Sequence, residues 1–341
     1  MPNVLVCSYL EPELIECVRA VDPSVRVTFE PTLVGAPRYP ADHVGVRFER
    51  DESQRAAWSA LLREADVLFD FDYLDPTSLL RDAQRVRWVQ ASSAGIGEFV
   101  RRFGLDASEA VFTTAAGVHA RPLAEFVLWG MLAFAKDYPT ARRQQREGRW
   151  VRFAGSDLEG ATLAVVGLGA VGREVARLAG LLGVRVVGSK RSVDGIDPGA
   201  LHVERLYPFS EIGAMVREAD YVCIATPHTP ETVGLLDAHL PTMREGSVLI
   251  NIGRGSAVGE EPLLHALRHG PLRGAALDVT PTEPLPEGHA LWSMDNVIVF
   301  PHSASTSVRE NERLVDLFTD NLRRFLAGET LRNVFVAERH Y

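Results

Sequence analysis

A short apolar run followed by three spaced glycines and a helical segment restricts the fold of this chain more than any other feature. The run covers residues 162–166, and helix-compatible residues begin at Arg173. Between them the chain reads Gly167-Leu168-Gly169-Ala170-Val171-Gly172. The first glycine permits a tight turn, the second lets a ligand approach the backbone, and the third lets the helix pack on the strand. The helix N-terminus adds free N–H groups, so the motif predicts a pyrophosphate-binding turn; a glycine-rich turn that binds nothing is the alternative.

Short β-branched runs alternate with helix-compatible segments along most of the chain, which predicts parallel sheets with helices on both faces. The runs cover residues 4–6, 65–71, 86–90 and 111–114, and then 162–166, 184–187, 221–225, 248–252, 275–277 and 297–300. A long helical segment over residues 118–150, broken at Pro139, separates the two series. An amphipathic helix over residues 307–328 stops at Gly328. The predicted fold class is α/β, with two doubly wound parallel-sheet domains.

Length, charge and cysteine content exclude several classes of protein. At 341 residues the chain is long enough for two hydrophobic cores. The 36 Lys and Arg residues against 45 Asp and Glu give a formal net charge of -9, which disfavours nucleic acid as a partner. Three cysteines without CxxC spacing indicate neither a disulfide framework nor a metal site. The longest apolar run, residues 126–135, is too short to cross a membrane, and the N-terminus does not resemble a signal peptide. We therefore expect a cytoplasmic protein without a membrane partner.

The end of the second strand after the glycine motif distinguishes two dinucleotides. NAD-binding domains place an Asp or Glu about 20 residues after the first glycine, where it accepts a hydrogen bond from the ribose 2′-hydroxyl. This chain has Ser189, Lys190 and Arg191 there. Two cations beside a hydroxyl suit a 2′-phosphate, so the sequence favours NADP as the cofactor. NAD is the alternative, in which the two cations contact only solvent.

A cation, a carboxylate and an imidazole follow three successive strands. Arg254, Glu283 and His302 each come shortly after one of the last three β-branched runs. Because the carboxyl ends of parallel strands share one edge of a sheet, we expect these side chains at the edge where such folds bind ligands. The arginine suits a substrate carboxylate, and the histidine suits proton donation to a developing alkoxide, with the glutamate favouring its protonated form. This set of residues predicts hydride transfer to a 2-oxo acid.

The same motifs resemble the signatures of D-isomer-specific 2-hydroxyacid dehydrogenases. The segments that carry the resemblance are the glycine motif, Asn251-Ile252-Gly253-Arg254-Gly255, Ala276-Leu277-Asp278-Val279-Thr280-Pro281-Thr282-Glu283-Pro284 and Pro301-His302-Ser303-Ala304. Arg254 and Glu283 are 29 positions apart, and Glu283 and His302 are 19 apart, which agrees with the family. The resemblance extends from about residue 91 to the C-terminus and is most specific in the cofactor-binding part.

The resemblance implies a flavodoxin-like substrate domain, residues 1–118 and 306–341, with a Rossmann-type cofactor domain, residues 119–305, inserted into it. It implies an NAD(P)-dependent oxidoreductase that converts a small 2-oxo acid to the D-2-hydroxy acid, as glyoxylate and hydroxypyruvate reductases do. Arg254 is then the substrate-binding cation, His302 the acid–base residue and Glu283 its support. The resemblance also implies a homodimer formed through the long connecting helix, which contains Leu123-Ala124-Glu125-Phe126.

The remaining binding residues also follow from the resemblance. It implies that backbone amides of the loop Ser93-Ala94-Gly95-Ile96 hold the substrate carboxylate. Cofactor contacts are expected from the glycine motif and from Ser189, Lys190, Arg191, Thr226, Pro227, Thr232, Ile252, Gly253, Arg254, Asp278 and His302. Asp278 is assigned to the nicotinamide end, and Thr226 with Pro227 to the adenosine.

The chain departs from the family pattern at several positions. His228 replaces the usual leucine of its motif, Ser303-Ala304-Ser305 follows His302, and Glu98 and Phe99 follow the 93–96 loop. These changes leave the size of the substrate open. The alternative function is a dinucleotide-sensing scaffold resembling C-terminal-binding transcriptional corepressors, which would bind a nicotinamide cofactor without useful turnover. Among enzymes, phosphoglycerate dehydrogenase is a further alternative, whereas formate dehydrogenase is disfavoured because its additional signature residues are not evident.

Overall fold

The computed structural model describes residues 2–336, and residues 337–341 of the predicted substrate domain lie outside the described residues. The strands are β1 (Asn3–Val6), β2 (Arg26–Thr28), β3 (Val67–Phe69), β4 (Trp88–Gln90), β5 (Val111–Thr113), β6 (Thr162–Val166), β7 (Arg185–Lys190), β8 (Arg205–Pro208), β9 (Tyr221–Ile224), β10 (Ser247–Asn251), β11 (Leu272–Leu277) and β12 (Val297–Val299). The α-helices are α1 (Pro12–Arg19), α2 (Glu52–Glu64), α3 (Ser78–Asp82), α4 (Gly97–Arg102), α5 (Ala120–Ala135), α6 (Tyr138–Arg146), α7 (Ala170–Gly180), α8 (Ile212–Arg217), α9 (Glu260–His269) and α10 (Glu310–Ala327). The chain divides into two compact units: the described residues up to His119 and from Thr306 onward form the first, and Ala120–Ser305 forms the second.

The first unit contains a five-stranded parallel sheet in the order β2-β1-β3-β4-β5. The strand order reverses between β1 and β3, so the carboxyl ends of these two strands flank the crevice where doubly wound sheets bind ligands. One face packs against α10, whose Phe318 ring stacks on Trp88 with 5.0 Å between the centroids. α10 begins at Glu310, three residues after the predicted position, and stops at the predicted Gly328, which has a left-handed conformation.

The second unit contains a seven-stranded parallel sheet in the order β12-β11-β10-β9-β6-β7-β8. Its order reverses between β6 and β9, which places β7 and β8 on one side of the crevice and β9 to β12 on the other. β6 is buried on both faces, because Leu163 and Val165 belong to one apolar core and Ala164 and Val166 to the other. A strand buried in this way has a continuous apolar sequence. The predicted class of two parallel-sheet α/β domains is confirmed.

Two edge strands and several strand boundaries differ from the sequence prediction. β2 and β8 lie at the edges of their sheets and contain only three and four residues, each beginning with an arginine. Short, partly exposed strands of this kind have no apolar run to mark them, so the second sheet has seven strands instead of the predicted six. β7 continues three residues past its predicted end at Val187, because Gly188, Ser189 and Lys190 pair with β8.

The long helical segment predicted over residues 118–150 is two helices. α5 ends at Ala135 and α6 begins at Tyr138, with Asp137 between them at a φ of 50°. The break therefore comes before Pro139, which lies in the first turn of α6, where a backbone N–H has no partner within the helix. No helix within residues 2–336 combines the length and the apolar character needed to span a membrane.

Candidate active site

The turn between β6 and α7 has the shape of a phosphate cradle. Gly167 has a φ of 101°, and a Cβ atom there would lie 2.9 Å from Thr226 Cγ2. A Cβ atom on Gly172 would lie 2.1 Å from the Gly167 carbonyl oxygen, whereas one on Gly169 would meet no heavy atom within 4 Å. The first and third glycines are thus required by backbone conformation and packing. The open space beside the second, at the N-terminus of an eleven-residue helix, fits a pyrophosphate.

Replacing Gly172 with alanine should disrupt this turn. Because the added methyl group overlaps a backbone carbonyl, we expect a loss of about 1–3 kcal/mol in the free energy of unfolding and weakened dinucleotide binding. The matched control is Gly180→Ala in the same helix, where a Cβ atom has open space. Thermal unfolding and a fluorescence titration with the reduced dinucleotide measure both quantities. Equal affinities in the two variants would show that the turn does not bind the cofactor.

Two buried hydroxyl groups beside the turn have no hydrogen-bond partner within residues 2–336. They are Ser189 Oγ and Thr226 Oγ1. The carbonyl oxygen of Ser189 accepts hydrogen bonds from the backbone N–H groups of Gly167 and Leu168 at 3.2 and 3.1 Å, so this residue is directly attached to the turn. Buried polar groups are normally paired, and two unpaired hydroxyls beside an open cradle therefore fit a site for a polar ligand.

The two cations at the end of β7 lie next to the same turn. Lys190 Nζ is 3.5 Å from the Leu168 carbonyl oxygen, and Arg191 is 3.6 Å from Glu231 with 56% of its side chain exposed. Both cations are therefore near enough to the surface to exchange their present contacts for a phosphate. The structure thus places Ser189, Lys190 and Arg191 together at one end of the cradle.

The loop after β9 is shaped by its own hydrogen bonds. Thr232 Oγ1 donates to the Pro227 carbonyl oxygen at 2.7 Å and accepts from the Thr229 N–H at 2.8 Å. The predicted cofactor contact of Thr232 is not tested by this arrangement, in which its hydroxyl holds the loop that carries Thr226 and Pro227. His228 Nδ1 lies 2.8 Å from Ser256 Oγ, which ties the same loop to the segment after β10.

An imidazole and a carboxylate meet at the carboxyl ends of β11 and β12. His302 Nδ1 is 2.8 Å from Glu283 Oε2, and the two side chains are 47% and 38% exposed. The second oxygen of Glu283 accepts a hydrogen bond from the Thr280 N–H at 3.0 Å, which fixes the carboxylate. A carboxylate bound to Nδ1 leaves Nε2 as the ring nitrogen that can exchange a proton with a ligand. His302 also has a φ of 53°, a conformation that is uncommon outside glycine.

Asp278 fixes the backbone on which His302 stands. Its carbonyl oxygen accepts from the His302 N–H at 2.9 Å, and its Oδ1 accepts from the N–H groups of Ser303 and Ala304 at 2.9 Å each. The carboxylate is only 2% exposed, and this burial raises the pKa of Asp278. Asp278 thus positions the left-handed turn at His302.

Arg254 follows β10, the strand next to β11, and its backbone is held by the residues around it. The guanidinium Nη1 donates to the Gly253 carbonyl oxygen at 2.8 Å, and Asn251 Nδ2 donates to the Arg254 carbonyl oxygen at 3.1 Å. A Cβ atom on Gly255 would lie 1.9 Å from the Thr280 carbonyl oxygen, so the Arg254 turn packs on the Glu283 turn. Of the three predicted residues, the structure brings Glu283 and His302 into contact; within the described range, no hydrogen bond or ion pair joins Arg254 to either.

Three supporting residues of this site were not predicted from the sequence. Asn251 holds Gly253 and Arg254, Thr280 holds Glu283, and Ser256 holds His228. The predicted Ile252 is buried, and a Cβ atom on Gly253 would lie 2.7 Å from the Thr226 carbonyl oxygen. Side chains that support a loop through single hydrogen bonds have no periodic pattern, although Asn251 and Thr280 lie within the quoted family segments.

The predicted substrate loop, residues 93–96, is exposed at all but one of its residues. Ser93, Ala94 and Gly95 are exposed, Ile96 is buried, and Ser93 Oγ accepts a hydrogen bond from the Gly95 N–H at 3.2 Å. This loop belongs to the first unit, and its role in substrate binding stays a prediction.

Residues 2–336 contain no group of three or more His, Cys, Asp or Glu side chains arranged to hold a metal ion.

Comparisons with known proteins agree with this arrangement. Residues 128–304, about half of the chain, match the family model for the D-isomer specific 2-hydroxyacid dehydrogenase, NAD binding domain. The chain belongs to the D-isomer-specific 2-hydroxyacid dehydrogenase family. A glyoxylate reductase from Aeropyrum pernix is 31% identical over 303 residues, which cover 83% of this chain and 88% of that protein.

Two solved structures of the family share the fold over nearly the whole chain. The D-isomer specific 2-hydroxyacid dehydrogenase from Xanthobacter autotrophicus Py2, solved with NADPH and MES, has a TM-score of 0.78 at 27% identity and covers 100% of this chain and 99% of its own. A family protein from Aeromonas salmonicida has a TM-score of 0.79 at 26% identity, with 98% and 99% covered. The family predicted from the sequence is confirmed, and with it an NAD(P)-dependent oxidoreductase with a nicotinamide dinucleotide-binding domain.

Proposed function

We propose that this protein reduces a short 2-oxo acid to the D-2-hydroxy acid with NADPH. The observation that carries the proposal is the 2.8 Å contact between His302 Nδ1 and Glu283 Oε2 at the carboxyl edge of the sheet that also bears the glycine turn. The carboxylate holds the imidazole through Nδ1, so that Nε2 is the ring nitrogen that can donate a proton to a carbonyl oxygen. In a Rossmann fold the dinucleotide lies across the strand-order reversal, so one half faces β7 and the other faces the His302 side.

Each residue then has a defined part in the reaction. NADPH, when bound, supplies the hydride. Arg254 binds the substrate carboxylate and polarises the carbonyl group, because its planar guanidinium can donate two hydrogen bonds at once. His302 Nε2 donates a proton to the oxygen as negative charge develops there. Glu283 holds the imidazole in orientation through Nδ1.

A preference for NADP over NAD is part of the proposal. Two features support it: the chain has no acidic residue at the end of β7, and Lys190, which lies beside the glycine turn, is followed directly by Arg191. A 2′-phosphate would bring a double negative charge to this position, where the two cations offer charge-assisted hydrogen bonds. The structure solved with NADPH from Xanthobacter autotrophicus shows that a relative binds this form of the cofactor.

A panel of 2-oxo acids with both reduced cofactors tests the proposal. Glyoxylate, hydroxypyruvate and phenylpyruvate are incubated with the protein and NADPH or NADH, and oxidation of the cofactor is followed by absorbance. We expect turnover of at least one of the two short acids, with NADPH preferred. Binding of NADPH without turnover of any acid would instead support the dinucleotide-sensing scaffold.

Replacing Arg254 with lysine should impair substrate binding. A point charge cannot reproduce the two parallel hydrogen bonds of a guanidinium, so we expect the Michaelis constant for the 2-oxo acid to rise by about 10- to 100-fold. Arg244→Lys is the matched control, because Arg244 pairs with Asp220 on the surface of the same unit. Steady-state kinetics at saturating NADPH measures the effect. Unchanged constants in the Arg254 variant would remove this residue from the substrate site.

We propose that the first unit is the substrate domain, because residues 93–95 of its predicted substrate loop are exposed. A homodimer through α5 is supported by Trp129 and Leu132, which are 40% and 42% exposed and would be covered by a second copy. Light scattering of the purified protein tests this assembly.

The cytoplasm is the location we propose, because three scattered cysteines suit a reducing compartment.

A further inference from the structure

Polar side chains form a buried cluster at the carboxyl ends of β1, β3 and β4 in the first unit. Ser8, Asp70 and Ser92 follow these strands, and His43 and Tyr73 contact them from the intervening segments. Asp70 is fully buried, and the His43 side chain is only 7% exposed. Burying this many polar groups away from water is unfavourable unless they are well paired. The cluster also lies at the strand-order reversal of this sheet, and none of the residues predicted from the sequence belongs to it.

One carboxylate oxygen of Asp70 holds the backbone of the neighbouring strand end. Asp70 Oδ1 accepts hydrogen bonds from the Ser92 N–H at 3.2 Å and from the Tyr73 hydroxyl at 3.1 Å. The Tyr73 oxygen is also 3.4 Å from Ser92 Oγ. Burial raises the pKa of Tyr73 well above its ordinary value, so the phenol remains a donor. Ser92 immediately precedes the 93–96 loop, and Asp70 therefore fixes the point from which the loop starts.

The second carboxylate oxygen of Asp70 lacks a hydrogen-bond partner among the described residues, and the backbone of this residue has a rare conformation. Its Oδ2 is 3.7 Å from His43 Nδ1, which lies 3.1 Å from Ser8 Oγ. Neither Asp70 Oδ2 nor His43 Nε2 has a hydrogen-bond partner within the described part of the chain, and both atoms are closed off from solvent. The φ of Asp70 is 68°, in the left-handed region that few residues other than glycine adopt. Asp70 therefore combines one carboxylate oxygen that holds backbone with a second oxygen that is unpaired within residues 2–336 and a backbone in a rare conformation.

We propose that Asp70 and Tyr73 are positioning residues that hold the 93–96 loop in the geometry that binds the substrate carboxylate. This inference rests on the proposed function of the loop. Strain at a buried residue persists when the surrounding structure fixes a geometry that function needs. The next residue, Ser93, is also held, because the Ala115 N–H donates to its carbonyl oxygen at 3.0 Å. The exposed residues 93–95 thus start from two adjacent fixed residues, Ser92 and Ser93, and Asp70 supplies the side-chain contact that fixes the first of them.

Three substitutions separate this role from a general effect on folding. Asp70→Gly accepts the left-handed backbone but removes the hydrogen-bond acceptor, and we expect it to raise the Michaelis constant for the 2-oxo acid about tenfold or more. Asp70→Asn keeps an acceptor oxygen and tolerates the same backbone, so it should restore a value near that of the wild type. Tyr73→Phe should raise the constant about threefold. The dissociation constant of NADPH should not change in any of them.

A matched control and a second readout complete the test. Asp66→Gly removes a carboxylate that holds the Asn3 N–H at the opposite end of the same sheet, so it should lower the melting temperature without raising the Michaelis constant. Hydrogen exchange of a peptide covering residues 90–97 should be faster in Asp70→Gly than in Asp66→Gly, whether or not the protein turns over any acid. Equal exchange in these two variants, or equal Michaelis constants for Asp70→Gly and Asp70→Asn, would overturn the inference. Absence of turnover in the wild type, with faster exchange only in Asp70→Gly, would refute the proposed function and leave the holding of the loop supported.

Discussion

Replacing His302 with glutamine or asparagine lowers kcat for the 2-oxo acid by about 10²- to 10⁴-fold and leaves the dissociation constant of NADPH nearly unchanged. Neither side chain can donate and recover a proton near neutral pH, although both can form a hydrogen bond with Glu283. Asparagine also tolerates the left-handed backbone at this position, so a loss of activity in that variant does not stem from backbone strain. Pre-steady-state measurement of NADPH oxidation reports the effect on the chemical step.

An exposed histidine elsewhere in the same unit is the control for this experiment. His265 lies on α9 with its side chain at the surface, and His265→Gln should leave kcat unchanged. Turnover of both His302 variants within tenfold of the wild type would remove the imidazole from the reaction. The glutamate that contacts it would then be a structural residue of the turn.

Replacing Lys190 and Arg191 together with alanine should change the choice of cofactor. Each cation can form a charge-assisted hydrogen bond with a 2′-phosphate, so we expect the Michaelis constant for NADPH to rise by about 10- to 100-fold and that for NADH to change by less than about threefold. The physical reason is that the adenosine 2′-phosphate is absent from NADH. Initial rates at a fixed 2-oxo acid concentration, with each cofactor varied, give the ratio.

A double variant with the same loss of charge is the control. Arg142→Ala with Arg143→Ala removes two surface cations from α6 in the same unit, and should change neither constant. Equal effects of the Lys190–Arg191 substitutions on NADPH and NADH would contradict a phosphate-binding role. In that case the pair would contact only solvent and the chain would have no preference for NADP at this position.

The sequence predicted those features that follow from a pattern in consecutive residues, namely the glycine turn and the buried strands. Gly167 and Gly172 are required where they stand, because a Cβ atom would meet Thr226 Cγ2 at 2.9 Å or the Gly167 carbonyl oxygen at 2.1 Å. The strands buried on both faces were visible as apolar runs, and the order of strands then placed Glu283 and His302 at one edge. The pairing of Glu283 with His302 was also predicted from the sequence, and the structure brings the two side chains into contact at 2.8 Å.

The features that the sequence did not predict depend on residues far apart in the chain or on short elements. Asp70 contacts His43 and Ser92, which lie 27 and 22 positions away, and no spacing rule connects them. β8 consists of four residues, of which only Tyr207 is buried, so its apolar content was too low to mark a strand. The break before α6 depends on the left-handed backbone of Asp137. The residues around it have a helix-compatible composition, so the sequence did not indicate a break at this position.

The structure of a complex with NADPH and oxamate, an unreactive analogue of a 2-oxo acid, tests the central claim most directly. We expect the analogue's carbonyl oxygen to lie about 2.6–3.2 Å from His302 Nε2, its carboxylate to contact the Arg254 guanidinium, and the nicotinamide ring to stand beside both. A nicotinamide ring bound on the β8 side of the sheet, or an analogue held away from the imidazole, would contradict it.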